Sequence, residues 1–167
     1  MTLEEAKAYL RIETAAEDAL IARLVASARG LCEAFVGQLL LRREIVETVS
    51  AEGSWQRLGA APVAAITRVA AVDGAGAETV MAADSYAIDI DPAGEGWVRA
   101  PRGRVRVTYR AGIAENEAEV PAAIAQGVTR LVAHLYAHRD DAVGPPAAVA
   151  ALWRPFRRLR LGLETRA

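Results

Sequence analysis

The chain has 167 residues, 53% of them hydrophobic, enough for one compact domain or a domain with a small insert. Its 20 basic and 21 acidic residues leave a formal charge of −1, which excludes a histone-like coat for nucleic acid. No apolar run approaches the roughly 18–20 residues that a membrane span needs, so no membrane partner is expected. The opening MTLEEAKAYL is acidic and amphipathic, unlike the basic and then apolar start of a signal peptide. Cys32, the single cysteine, has no intramolecular partner and suits a reducing cytoplasm.

Two helices are predicted at the start. Thr2 and Glu5 form a capping box, followed by Leu3, Ala6 and Leu10 at helical spacing. A second box, Thr14 with Glu17, is expected to restart the helix, with Asp18 and Glu17 at the positive end of its dipole. Its apolar stripe runs through Leu20/Ile21, Leu24/Val25, Ala28, Leu31/Cys32 and Phe35/Val36. Gly37 supplies a left-handed stop.

The middle of the chain changes period. From Leu39 to Ser50 the residues alternate, with Ile45, Glu47 and Val49 on one face and Val46 and Thr48 on the other. Short branched runs follow at 55–58, 66–72 and 80–81, and Asp73-Gly74 is the clearest hairpin turn. Tyr86, Ile88 and Ile90 alternate, and Trp97-Val98-Arg99 comes next. In 104–110, Val105, Val107 and Tyr109 should point inward, with arginines outward. A helix resumes after Val120-Pro121, with Ile124, Val128, Leu131/Val132 and Leu135/Tyr136 as its stripe. After a loop, a short helix from Ala147 to Trp153 should stop at Pro155.

These elements predict an α+β fold: a small helical bundle with an inserted antiparallel β-sheet or sandwich. The helical core is expected to comprise 1–38 and 118–154, the β-rich insert 39–117, and a basic C-terminal tail 155–167.

Residues that could carry chemistry are few. His134 and His138, four apart on a helix, could clamp a metal, but no third ligand is placed and a helix-end role competes. Cys32 lies on an apolar stripe and reads as an inert thiol. Ser27, Ser50, Ser54 and Ser85 lack a nucleophile-elbow context. The Gly-rich pieces at 73–77 and 93–97 lack the Lys-Ser/Thr of a phosphate cradle and read as turns. Asp84, Asp89 and Asp91 could attract a cation for a hydrolase or nuclease, but no general base accompanies them; a solvated strand edge is the simpler reading. No enzyme activity, cofactor or metal is expected.

The C-terminal stretch carries more weight. Residues 154–167 hold five arginines against Glu164, whereas 1–36 hold six acidic and four basic residues, so the neutral total conceals an acidic front and a basic end. Arg154, Arg157, Arg158 and Arg160 flank Trp153 and Phe156, alternating guanidinium groups with aromatic anchors. Trp and Arg are enriched at interface hot spots, so this cluster is the candidate partner-binding site. A helix packed on its own domain, with arginines in water, is the competing reading.

The order of these pieces resembles the head–tail connector (adaptor) proteins of tailed phages and phage-like gene transfer agents. The resemblance rests on Leu3-Glu-Glu-Ala-Lys-Ala-Tyr-Leu-Arg-Ile12, Glu17-Asp18-Ala-Leu-Ile21 and Ala34-Phe-Val-Gly37. It continues through Leu58-Gly-Ala-Ala-Pro-Val63, Ile66-Thr-Arg-Val69, Asp84-Ser-Tyr86 and Val105-Arg-Val-Thr-Tyr-Arg-Ala-Gly112. Val120-Pro-Ala-Ala-Ile124 and Leu131-Val-Ala-His-Leu-Tyr136, with Arg139 in register, complete it to about residue 160. Gln38 after Gly37, and His138 before Arg139, depart from the family pattern.

That resemblance implies a structural ring of about a dozen copies in the neck of a virion or virus-like particle. The partners implied are the portal protein, a stopper, head-completion or tail protein, and further copies of the chain. Double-stranded DNA would pass through the lumen without sequence-specific binding. A strongly basic lumen would slow that passage, because each phosphate neutralised adds affinity, and near-zero net charge suits it. The resemblance also implies that Trp153, Arg154, Phe156, Arg157, Arg158 and Arg160 dock on the portal. A rival reading is an intracellular protein-binding module with no viral role.

Overall fold

The computed structural model describes residues 1–138 and 144–158. It is an α+β chain that divides into two compact units. One holds Met1–Leu40 and the described residues from Asn116 onward; the other is Leu41–Glu115.

The first unit contains four helices: α1 (Leu3–Leu10), α2 (Asp18–Val36), α3 (Ala122–Ala137) and α4 (Ala147–Trp153). Short 3-10 turns occupy Glu117–Glu119 and Arg154–Phe156. The capping box opens α1 as expected. The Thr2 hydroxyl accepts from the Glu5 N–H at 3.2 Å, and the Glu5 carboxylate accepts from the Thr2 N–H at 2.7 Å. The second box does not form: α2 begins at Asp18, and Glu17 makes no side-chain capping bond. A salt bridge from Lys7 to Asp18, at 2.6 Å, instead ties the start of α2 to α1. Gly37 ends α2 at φ 69°, the left-handed conformation that glycine adopts without Cβ strain.

Helical periodicity then decides the core. Ile21, Val25, Ala28, Cys32 and Val36 of α2 are buried, as are Ile124, Val128, Leu131 and Val132 of α3 and Val149 and Trp153 of α4. Burying each large side chain of this kind contributes about 1.5–3 kcal/mol. Pro121 caps α3 with an extended backbone, its missing N–H costing nothing where no helical bond is due.

The second unit is built from seven antiparallel strands. They are β1 (Arg43–Ala51), β2 (Trp55–Arg57), β3 (Val63–Val72), β4 (Glu78–Val80), β5 (Ala87–Ile90), β6 (Gly96–Arg99) and β7 (Gly103–Ala111). One sheet has the order β1-β7-β3-β4 and the other β2-β6-β5. The first strand begins at Arg43, four residues later than its alternation suggests. In β7, Val105, Val107 and Tyr109 are buried, and Val107 lies opposite Glu47 on one side and Val69 on the other.

Glu47 is an acid on the inward face of β1, and its partners explain the position. It accepts from the Tyr109 hydroxyl at 2.7 Å and from the Gly59 N–H at 3.0 Å. The same tyrosine oxygen accepts from the Ala60 N–H at 3.0 Å, so the loop after β2 closes onto the sheet. The β3–β4 turn also differs from expectation. Asp73 closes it by accepting the N–H groups of Ala75 and Ala77 at 2.9 and 2.8 Å, and Gly76 at φ 89°, not Gly74, takes the left-handed position.

Candidate assembly interface

The basic cluster begins where α4 ends. Trp153 completes α4, Pro155 sits in the following 3-10 turn, and Arg157 and Arg158 continue as extended backbone along the end of α2. Trp153 is 0% exposed, so this expected partner anchor is an intramolecular one. Its Nε1–H donates to the Ile124 carbonyl at 3.3 Å, and its ring lies 5.9 Å from Phe35. The fit depends on Gly127 of α3. A Cβ there would overlap Nε1 and lie 2.8 Å from Cε2 of the indole. An indole is too large and too apolar to remain in water when such a slot exists.

The residues after Trp153 form a strap across the C-terminus of α2. The Arg158 N–H donates to the Val36 carbonyl at 2.8 Å, and the Gln38 side-chain amide donates to the Phe156 carbonyl at 2.6 Å. The Arg157 guanidinium lies 5.6 Å from the Phe35 ring centre, within cation–π range. Helix ends leave carbonyls without intrahelical donors and carry partial negative charge, so a donor and two arginines there are doubly favourable. Arg154 and Arg157 are exposed, while Phe156 and Arg158 are half-buried. The strap therefore keeps Trp153 buried and leaves two arginines exposed. Arg160 lies outside the described residues, as does Arg139.

Gln38, Phe35 and Gly127 hold the strap, and the sequence did not single them out for that. A glycine inside the apolar stripe of α3 was the one available signal, since it marks a close approach. Gln38 stood out only as a departure from the family pattern, with no role attached.

The His134/His138 pair, Cys32 and Asp91 make contacts within the fold. The rings of His134 and His138 lie 4.4 Å apart, and His138 Nδ1 is 2.9 Å from the His134 carbonyl. Among the described residues no three His, Cys, Asp or Glu side chains gather around a possible metal position. Cys32 is buried, and that desolvation, with Glu33 adding to it, pushes its thiol up to about 12. Asp91 closes the β5–β6 turn by accepting from the Glu95 N–H at 2.9 Å and from Trp97 Nε1–H at 3.1 Å.

Arginines on the outer face of the four-stranded sheet are largely matched by carboxylates. Glu78 of β4 pairs with both Arg106 and Arg68, the latter at 2.7 Å. Arg106, then Arg68, hold the Glu78 carboxyl below its ordinary range by hydrogen bonding to the charged form. Glu115 pairs in the same way with Arg42 and with Arg110, the latter at 3.3 Å.

No family model matches the chain, and no curated protein matches it in sequence. Solved structures do. A chain from the neck of an empty gene transfer agent (GTA) particle, computed with C6 symmetry, superposes with a TM-score of 0.81 and 28% identity, covering 99% of this chain and 93% of that one. A chain from the virion of a native GTA particle gives 0.79 and 30%, over 98% and 92%. A third, from a native GTA neck computed with C12 symmetry, gives 0.72 and 29%, over 89% and 87%. The two units together therefore match a structural component of the neck of virus-like particles. The chain belongs to the head–tail connector (adaptor) family of tailed phages and gene transfer agents.

Proposed function

We propose that copies of this chain form a ring of about a dozen in the neck, docked on the portal above and meeting a stopper, head-completion or tail protein below. Double-stranded DNA would leave the head through the lumen of that ring. The observation that carries this reading is the match, over 89–99% of the chain, to subunits of GTA necks computed with C6 and C12 symmetry. A ring of identical subunits needs two different lateral surfaces on each copy. The chain would work as a mechanical coupler, without catalysis.

Portal docking is assigned to the exposed Arg154 and Arg157, together with Arg158 and Arg160. Trp153, buried in the core, and the Phe156 carbonyl, held by Gln38, serve it by fixing the strap. Arginine's planar fork favours a carboxylate-bearing partner surface. Mixing the full chain with the portal protein of the same particle should give rings by negative-stain imaging and native mass spectrometry. A protein that stays monomeric and ignores the portal would refute the adaptor assignment. Arg154→Ala/Arg157→Ala/Arg158→Ala should weaken docking about tenfold or more with the helical signal intact. Truncation before Trp153 is the wrong test, because it empties the core.

A further inference from the structure

We propose that Gln38 is a positioning residue for the arginine surface: its side-chain amide holds the strap so that Arg154 and Arg157 face outward before any partner arrives. The inference rests on the docking role proposed above. The geometry behind it lies within the helical unit. The Phe156 carbonyl is held by Gln38 at 2.6 Å, and the Arg158 N–H is held by Val36 at 2.8 Å. Arg157 sits between these two fixed points, its guanidinium over Phe35. Chain fixed at both ends has little backbone freedom left, so the Arg157 side chain is presented in one arrangement.

The chemistry of the carboxamide suits this task. Gln38 follows Gly37, whose left-handed φ of 69° turns the chain off the end of α2 and toward the strap. Gly37 also lets the strap approach: a Cβ there would lie 3.3 Å from the Arg158 carbonyl oxygen. The amide donates a hydrogen bond yet carries no charge, so it neither attracts nor neutralises the neighbouring arginines. A strap ordered in advance loses less entropy on docking, which raises affinity without adding a contact. Gln38 thus acts through the strap.

Trypsin tests the latch directly, because the Arg157–Arg158 bond is a cleavage site within the held segment, whereas Arg154–Pro155 resists the enzyme. In the full-length protein, Gln38→Met keeps the side-chain length and removes the donor. Under limiting trypsin, appearance of the 1–157 fragment by mass spectrometry should accelerate about fivefold in that variant, the effect of one lost hydrogen bond. Gln38→His, which restores an uncharged donor and adds no trypsin site, should return toward the wild-type rate. Portal affinity should fall about fivefold in Gln38→Met and recover in Gln38→His, with the thermal midpoint of Gln38→Met lowered by no more than about 2–4 °C. Unchanged cleavage in Gln38→Met, or equal acceleration in Gln38→His, overturns the latch. Faster cleavage with unchanged portal affinity overturns its link to docking, as does an affinity loss that Gln38→His fails to restore. If the wild-type chain does not bind the portal at all, the docking role fails, and the cleavage rates still judge the latch independently.

Discussion

Gly127 and Trp153 illustrate how one missing methyl group organises a unit. Gly127 is buried in the middle of α3, where glycine costs about 1 kcal/mol of helix propensity relative to alanine. The slot it leaves accepts the indole of Trp153, which is otherwise far too wide for a helix–helix contact. Gly127→Ala should therefore destabilise the protein despite its better helix propensity. We expect a loss of about 1–3 kcal/mol from overpacking, seen as a lowered urea midpoint with an unchanged slope. A gain in stability would mean that Trp153 does not occupy the slot. The same packing converts Trp153 from an exposed anchor, as its arginine-rich neighbourhood suggested, into the rivet that fixes where those arginines emerge.

Among the elements, β4 is short, exposed and paired only along three residues of β3, so its attachment depends on side chains. Glu78 supplies much of that attachment by bridging Arg106 of β7 and Arg68 of β3. The sign of its pH effect follows from the shift. Its folded pKa lies below the ordinary 4.5, so the stabilisation is present above that value and is lost as pH falls through the folded one. In Glu78→Gln the contribution is missing already at neutral pH. The variant's thermal midpoint should then fall less steeply than the wild type's between about pH 5 and pH 3. Hydrogen exchange should also quicken at the Thr79 and Met81 amides of the variant at pH 7, the ones that face β3. Identical acid profiles for the two proteins would show that the clamp contributes nothing to folding.

At the scale of the assembly, charge is arranged by neutralisation. The outer face of the four-stranded sheet carries Arg68, Arg106 and Arg110, on the neighbouring strands β3 and β7. In three dimensions Glu78 and Glu115 take up these arginines. A paired arginine gains little from a phosphate, because the existing carboxylate contact must first be given up. The full chain should therefore not retain duplex DNA in gel shifts at about 0.15 M salt. Glu78→Gln/Glu115→Gln should create retention that weakens as salt rises. The proposed docking through Arg154 and Arg157 should in contrast weaken with salt in the wild type, by a few-fold between about 0.05 and 0.5 M, since these charges are solvent-exposed and screened. Salt-independent docking would assign the contact to apolar surface instead.

Much of this architecture is legible in the sequence because it depends on local period and local chemistry. The 3.6-residue stripes placed α2 and α3, the two-residue alternation placed β7 with Val105, Val107 and Tyr109 inward, and Thr2 with Glu5 marked the start of α1. A spacing signal survives whatever the rest of the chain does, since it reflects one face meeting one core. The second capping box failed for the opposite reason: Thr14 had the right spacing, but Lys7, from another helix, took over the stabilisation of the α2 start through Asp18. The candidate site divides along the same line. Its arginines and aromatics stood out by composition. Which of them face outward was settled by contacts between residues far apart in the chain, Trp153 on Gly127 and Phe35, Phe156 on Gln38, Arg158 on Val36. Such contacts leave no period to read, because complementarity between distant surfaces is a property of the packed chain, and here it made residues 153–158 a strap that leaves two arginines exposed.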